Sequence, residues 1–175
     1  NEMAEALALD LVAKRMVTDQ IVATIGYDRC NEEYQGEYSV DRYGRKVPKH
    51  AHGTFNLGRQ TASEKLIRKA VAELFERIVD KNLFVRRLYI TATHVVPESE
   101  KKAGGALQLD LFTDYEAEQK RREAEDAELE REKKRQEAVL EIKNKYGKNA
   151  ILKGMNLEEG ATAKSRNGQI GGHKA

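Results

Sequence analysis

Basic side chains are concentrated in one polar stretch of the sequence. We expect five of them to contact a phosphate backbone: Arg42, Arg45, Lys46, Lys49 and Arg59. Thr54 and Asn56 lie in the same stretch and alternate with apolar residues, so they should project from one face of a strand. Cations, hydroxyls and amides on an open sheet face are the groups that position a nucleic-acid backbone. The alternative is an ordinary solvated basic loop.

A second candidate for binding is a short peptide that follows Gly104 and Gly105. Its residues are Gln108, Leu109, Asp110, Leu111 and Phe112. Three large apolar side chains within five residues should be buried against something. The peptide therefore either packs on the core of its own domain or docks in a groove on a partner.

The sequence offers no recognisable catalytic or metal site. It contains no nucleophile motif, no phosphate-binding glycine loop and no dinucleotide fingerprint. The soft metal-ligand candidates Cys30, His50, His52 and His94 match no zinc spacing. Tyr89 is the one aromatic residue expected on the polar sheet face, which argues against a base-stacking platform. We predict no catalytic residue and no metal ligand in this chain.

The composition shows a chain that is rich in charged residues but has almost no net charge. The chain has 175 residues, of which 39% are hydrophobic and 34% charged, and its net charge is only +2. Nucleic-acid affinity would therefore need a local basic patch. A single cysteine excludes an internal disulfide and favours the cytoplasm. No apolar run is long enough for a membrane helix, so no membrane partner is expected. Because the chain starts at Asn1, within a helical pattern, we expect a fragment of a longer protein.

The hydrophobic periodicity predicts an α+β fold. Apolar residues recur at helical spacing in Glu2–Met16 and again after Thr61, where Thr61 and Glu64 have the spacing of a capping box. Alternating residues predict three strands: Gln20–Tyr27, Thr54–Arg59 and Phe84–Val96. We therefore expect a mainly antiparallel sheet with two helices on one face and a polar, open second face.

The C-terminal third of the chain has a different character. Acidic and basic residues dominate from Tyr115 to Tyr146, without a sustained heptad pattern, which predicts a solvated charged helix. The predicted organisation is a DNA-binding domain over 1–97, a linker with the apolar peptide over 98–114, the charged helix over 115–147 and a basic, glycine-rich tail over 148–175. We expect the tail to be flexible or to become ordered on a partner.

Several segments resemble the little-finger domain of Y-family DNA polymerases. They include Asp41–Arg45 (DRYGR), His52–Leu57 (HGTFNL), Leu9–Val12 (LDLV) and Thr18–Gln20 (TDQ). The closest likeness is to the UmuC-like (ImpB/MucB/SamB) branch, whose C-terminal end is similar to Lys145–Gly154 here. The peptide from Gln108 to Phe112 resembles the motif by which bacterial polymerases hold the sliding β clamp.

This resemblance implies a function for the parent protein. It implies error-prone translesion synthesis on damaged DNA during the SOS response, with primer-template DNA and the sliding clamp as partners. It also implies magnesium, held by carboxylates of a palm domain that these residues do not include, so no cofactor is expected here. The implied fold is a little-finger-like plait without its first strand. The open sheet edge or the charged helix would then permit self-association.

A rival interpretation belongs to another class. In it the chain is a non-enzymatic adaptor whose charged helix mediates self-association, and the apolar peptide is part of the core. Such an adaptor should associate with itself and ignore DNA.

Overall fold

An antiparallel sheet with helices on one face is the centre of the molecule. The computed structural model describes residues 1–31, 33–101, 115–170 and 173–174. The elements follow in the order α1 (Glu2–Ala13), β1 (Met16–Tyr27), β2 (Tyr38–Val40), β3 (Lys46–Pro48), β4 (Ala51–Thr61), α2 (Glu64–Ile78), β5 (Val85–Thr93), β6 (Val96–Pro97), a 3-10 turn (Glu98–Glu100), α3 (Tyr115–Tyr146), a second 3-10 turn (Gly154–Leu157), α4 (Ala163–Arg166), β7 (Gln169–Ile170) and β8 (His173–Lys174). The predicted α+β class is confirmed.

Strand β1 is the middle strand of the sheet, whose order is β4-β1-β5. Both neighbours are antiparallel to it, with Ile21 opposite Phe55 on β4 and Ala92 on β5. The alternation predicted for this strand is confirmed, because Ile21, Ala23 and Ile25 are buried. The strand begins earlier than predicted. Arg15 has a φ of 53°, a left-handed conformation, so α1 ends at Ala13 instead of Met16.

Helices α1 and α2 cover the apolar face of this sheet, as the sequence predicts. Ala4, Ala8 and Leu11 of α1 pack with Ile67 of α2 around Ile21. The spacing places these residues on one stripe of each helix.

Gly53 permits the close approach of α2 to strand β4. A Cβ atom at this position would lie 2.8 Å from Cγ2 of Ile78 and 2.9 Å from Cδ1 of Leu74. These distances are shorter than carbon atoms tolerate, so a side chain at Gly53 would force the Ile78 and Leu74 side chains, or α2 itself, to shift.

The predicted start of the second helix is wrong by two residues. Ser63, not Thr61, is the N-cap, and its hydroxyl accepts a hydrogen bond from the Leu66 amide at 3.2 Å. Thr61 is the last residue of β4, and its hydroxyl accepts from the Ser63 amide at 3.0 Å. Thr61 is thus already paired in the sheet, and Ser63 is the residue left to cap the helix.

The third predicted strand is interrupted near its end. Strand β5 ends at Thr93 because His94 has a φ of 51°, and the following pair Val96–Pro97 hydrogen-bonds instead to the start of β1. Leu88 and Ile90 face the helices and are half-buried. That is the expected condition of apolar residues on an edge strand, which has a neighbour on one side only.

The charged helix α3 is present over the predicted residues, but it is not fully solvated. Glu132 and Gln136 are buried. The Glu132 carboxylate accepts hydrogen bonds from the Ser63 hydroxyl at 2.6 Å and the Lys65 amide at 2.9 Å, while the Gln136 amide donates to the Ala62 carbonyl at 3.1 Å. Polar contacts therefore hold α3 across the N-terminus of α2, where a negative charge is favoured by the helix dipole.

The tail also contacts the domain, contrary to the expectation of a flexible segment. The Glu2 carboxylate accepts hydrogen bonds from the Thr162 amide at 3.0 Å and the Ala163 amide at 3.1 Å, and the Asn156 amide donates to it at 3.2 Å. Lys153 forms ion pairs with Glu64 and, at 3.7 Å, with Glu5. The described part of the tail thus folds back onto α1 and α2.

Candidate nucleic-acid interface

The second face of the sheet is polar and open to solvent. On this face, each residue of β1 has one cross-strand partner on β4 and one on β5, and the three form a row. In the order β4, β1, β5 the rows are Asn56, Gln20 and Thr93; Thr54, Val22 and Thr91; and His52, Thr24 and Tyr89. Thr54, Asn56 and Thr91 are exposed, so none of the described helices covers this face. The sequence prediction of a polar open face, with Thr54 and Asn56 on it, agrees with this arrangement.

Hydrogen bonds along these rows orient the polar groups. The Thr93 hydroxyl donates to Oε1 of Gln20 at 2.8 Å, and Nε2 of Gln20 donates to Oδ1 of Asn56 at 2.9 Å. In the row of His52, Thr24 and Tyr89, the Thr24 hydroxyl and the His52 ring nitrogen Nδ1 are 3.0 Å apart. Because Oδ1 of Asn56 faces Gln20, its Nδ2 group is turned towards solvent as a donor. The face can therefore offer amide donors to an anionic ligand.

A short hairpin, β2–β3, projects beside the open face and carries most of the predicted cations. Its turn is built on Asp41, whose carboxylate accepts from the Arg45 guanidinium at 2.8 Å and from the Tyr43 and Arg45 amides at 2.9 and 3.0 Å. Hydrogen bonds from the Arg45 side chain and amide lower the pKa of Asp41 to about 2. Gly44, with a φ of 76°, completes the turn.

The predicted cations are not equally available for phosphate. Carboxylates pair with three of them: Arg45 with Asp41 at 2.6 Å, Lys49 with Glu37 at 2.5 Å, and Arg59 with Asp126 of α3 at 2.5 Å. The Lys49–Glu37 pair is largely exposed, and pairs of that kind contribute little free energy, so phosphate can compete for Lys49. Arg45 holds the turn and Arg59 contacts α3, so both have structural roles.

Two further predicted cations are exposed on the hairpin. Arg42 lies at the turn, and the Lys46 ammonium lies 4.2 Å from the centre of the Tyr38 ring. The structure thus brings Arg42, Arg45, Lys46 and Lys49 together on one hairpin. Arg59 is separate from them, at the end of β4 that faces α3.

Sequence reasoning missed two arginines that belong with this group. Arg86 and Arg87 lie on β5, and together with Arg42 they line a cleft of about 340 Å³ between the hairpin and the sheet. Arg87 is opposite Gly26, which leaves space beside it on the open face. The alternation of Arg87 with Tyr89 and Thr91 places all three on the polar face, but the sequence does not show that the hairpin lies beside Arg87.

The other residues that the sequence analysis considered are the apolar peptide and the possible metal ligands. The peptide from Gln108 to Phe112 lies outside the described residues. His52 contacts Thr24, and His94 lies 3.0 Å from Asp19. Within the described ranges, no group of three or more His, Cys, Asp or Glu side chains could hold a metal ion. None of the described helices has the length and hydrophobicity to cross a membrane.

Comparison with known proteins gives no family for this chain. No family model matches it, and no curated protein is significantly similar to it in sequence.

Proposed function

We propose that this chain binds the backbone of duplex or primer-template DNA through the open sheet face and the β2–β3 hairpin. The observation that carries the proposal is the asymmetry of the sheet. One face is covered by α1 and α2, whereas the other presents threonine and amide groups beside a cleft that Arg42, Arg86 and Arg87 line. Lys46 is exposed on the same hairpin as Arg42. Such a surface contacts phosphates and reads no bases, so binding should be sensitive to salt and insensitive to sequence.

We further propose that the domain is a little-finger-like plait from an error-prone translesion DNA polymerase. The order helix, strand, strand, helix, strand among its main elements, around an antiparallel sheet, supports this assignment, as do the segments Asp41–Arg45 and His52–Leu57. Polymerase activity and magnesium would then belong to the parent protein, and this chain would supply DNA affinity.

The peptide Gln108–Phe112 is proposed to tether the parent polymerase to a sliding clamp. Leu111 and Phe112 offer the largest apolar area in the peptide and would fill a pocket on the clamp. Asp110 would lie at the rim and contribute less. Affinity should be modest, because ordering a short peptide costs conformational entropy.

The adaptor hypothesis is less well supported. It treats α3 as an element free for self-association, whereas α3 buries Glu132 and Gln136 against its own domain and only its remaining faces are exposed. Light scattering tests it, because an adaptor should form dimers or larger species at micromolar concentration.

A salt titration of DNA binding tests the main proposal. Fluorescence anisotropy of a labelled duplex would be measured between about 50 and 200 mM salt, where the logarithm of affinity should fall with a slope of about −0.9 for each phosphate contact. Replacing Arg42 and Lys46 by alanine should make the slope shallower by about 2. Arg45 is unsuitable for this test, because its loss would also release Asp41 from the turn.

The matched control removes two cations from the opposite side of the molecule. Arg68 and Lys69 are exposed on α2, which covers the other face of the sheet, and their replacement by alanine changes the net charge equally. The control should keep the wild-type slope. Equal slopes for both double variants would refute the proposed phosphate contacts.

A further inference from the structure

The cleft between the β2–β3 hairpin and the sheet has the size of a ligand site. Its volume is about 340 Å³, and it is bounded by the hairpin on one side and by the ends of β1 and β5 on the other. Sites for small molecules occupy roughly 300–1,000 Å³, so the cleft lies at the lower end of that range. It has room for a single nucleotide and is far too small for a duplex.

The charge of the cleft favours an anion. Asp41 is the one acidic residue on its lining among the residues that the structure describes, and Arg45 neutralises it at 2.6 Å. Arg42, Arg86 and Arg87 remain as excess positive charge on the same walls. Arg86 is held only loosely by Asp28, at 3.9 Å. The planar guanidinium group of arginine can donate two parallel hydrogen bonds to a phosphate, so these side chains suit a phosphate ligand.

The cleft also presents two aromatic rings, which the sequence did not predict to be together. Tyr43 is 75% exposed and Tyr89 is 54% exposed, and both line the cleft. The Arg45 guanidinium carbon lies 4.9 Å from the centre of the Tyr43 ring, so a cation–π contact restrains that ring. A restrained, exposed ring beside arginines is the combination that binds an unpaired base and its phosphate.

We propose that this cleft binds one unpaired nucleotide, with its base stacked on Tyr43 or Tyr89 and its phosphate on Arg42 and Arg87. The nucleotide would belong to a single strand that continues from the duplex on the open face. This inference rests on the proposed function, because the strand must arrive across that face. The cleft would give the protein a preference for junctions between single-stranded and duplex DNA, whereas the rest of the surface binds only the DNA phosphate backbone.

The test compares three DNA probes by fluorescence anisotropy with the full chain. They are a blunt duplex, the same duplex with a short single-stranded overhang, and that overhang built from abasic nucleotides. The overhang should bind about tenfold more tightly than the blunt duplex, within the range expected for stacking one base. The abasic overhang should lose most of that gain, because it keeps its phosphates but has no bases to stack.

Two double variants separate stacking from folding. Tyr43→Ala with Tyr89→Ala should abolish the overhang preference, measured as the ratio of the affinities for the overhang and the blunt duplex. Tyr43→Phe with Tyr89→Phe keeps the rings and should retain the preference.

Three results would overturn the inference. They are equal binding of blunt and overhang duplexes by the wild type, equal binding of the abasic and base-containing overhangs, and an overhang preference that survives in the double alanine variant. Absence of any binding to the blunt duplex would instead count against the proposed function, so the two failures are distinguishable.

Discussion

Glu132 should be the residue of α3 whose removal costs the most stability. It is 8% exposed and accepts two hydrogen bonds at the N-terminus of α2, from the Ser63 hydroxyl at 2.6 Å and the Lys65 amide at 2.9 Å. Each hydrogen bond to a charged group contributes about 1.5–3 kcal/mol, and the helix dipole adds about 0.3–1 kcal/mol. Because bonds that share one carboxylate are not additive, we expect Glu132→Ala to cost about 3 kcal/mol.

A graded pair of variants tests how much of this cost is due to charge. Glu132→Gln keeps one carbonyl oxygen as an acceptor for the Lys65 amide, and its NH2 group can donate to the Ser63 hydroxyl. It loses the charge and should cost about 1–2 kcal/mol, roughly the difference between charged and neutral hydrogen bonds at two sites. Alanine should cost more than glutamine because it leaves the Lys65 amide without its acceptor at a partly buried position.

Urea unfolding, followed by circular dichroism, measures both variants. The control is Glu141, an exposed acidic residue on the same helix, whose replacement by alanine should change the free energy of unfolding by less than about 0.5 kcal/mol. If Glu132→Ala is no more costly than Glu141→Ala, α3 is not held at the N-terminus of α2, and the polar docking described above is wrong.

Three further predictions concern the tail, the sheet and the apolar peptide. Burial would raise the pKa of Glu2, but hydrogen bonds from the tail outweigh it and lower the pKa to about 2. The stability that Glu2 confers should therefore be complete above about pH 4.5 and lost as the pH falls towards 2; Glu2→Gln should remove this part of the pH dependence of unfolding, and an unchanged profile would contradict the tail contact. Gly53→Ala should cost about 1–3 kcal/mol because of its contact with α2, whereas Gly154→Ala, with open space around it, should be nearly neutral in the same unfolding assay; equal costs would contradict that packing. Against purified sliding clamp, alanine at Leu111 or Phe112 should each weaken calorimetric binding by about 2 kcal/mol or more, and equal binding by the double variant and the wild type would eliminate this peptide as the contact.

The parts of the fold that the sequence predicted are those determined by local hydrophobic pattern. Ile21, Ala23 and Ile25 alternate along β1, and burial against two helices follows directly from that period. Thr54 and Asn56 were assigned to the open face by the same argument. The boundaries were less accurate, because Arg15 and His94 adopt left-handed conformations that no hydrophobic pattern reports.

The contacts that the sequence did not predict are polar and distant along the chain. Glu132 and Gln136 are buried by hydrogen bonds to a helix terminus, and hydropathy assigns such residues to solvent. Glu2 contacts Thr162, 160 positions further on, through groups that carry no apolar signal. Charge alone also could not show that Arg59 pairs with Asp126 while Arg42 stays exposed.

The most direct test of the central claim is to map the DNA contact residue by residue. Nuclear magnetic resonance titration of the labelled chain with a short duplex reports which backbone amides change their environment on binding. The account predicts shifts concentrated at Thr54, Asn56 and Arg87 and on the β2–β3 hairpin, with none on the exposed side of α2 around Lys69. Shifts centred on α2 or α3, or no shifts at low salt, would contradict the proposal that the open sheet face binds DNA.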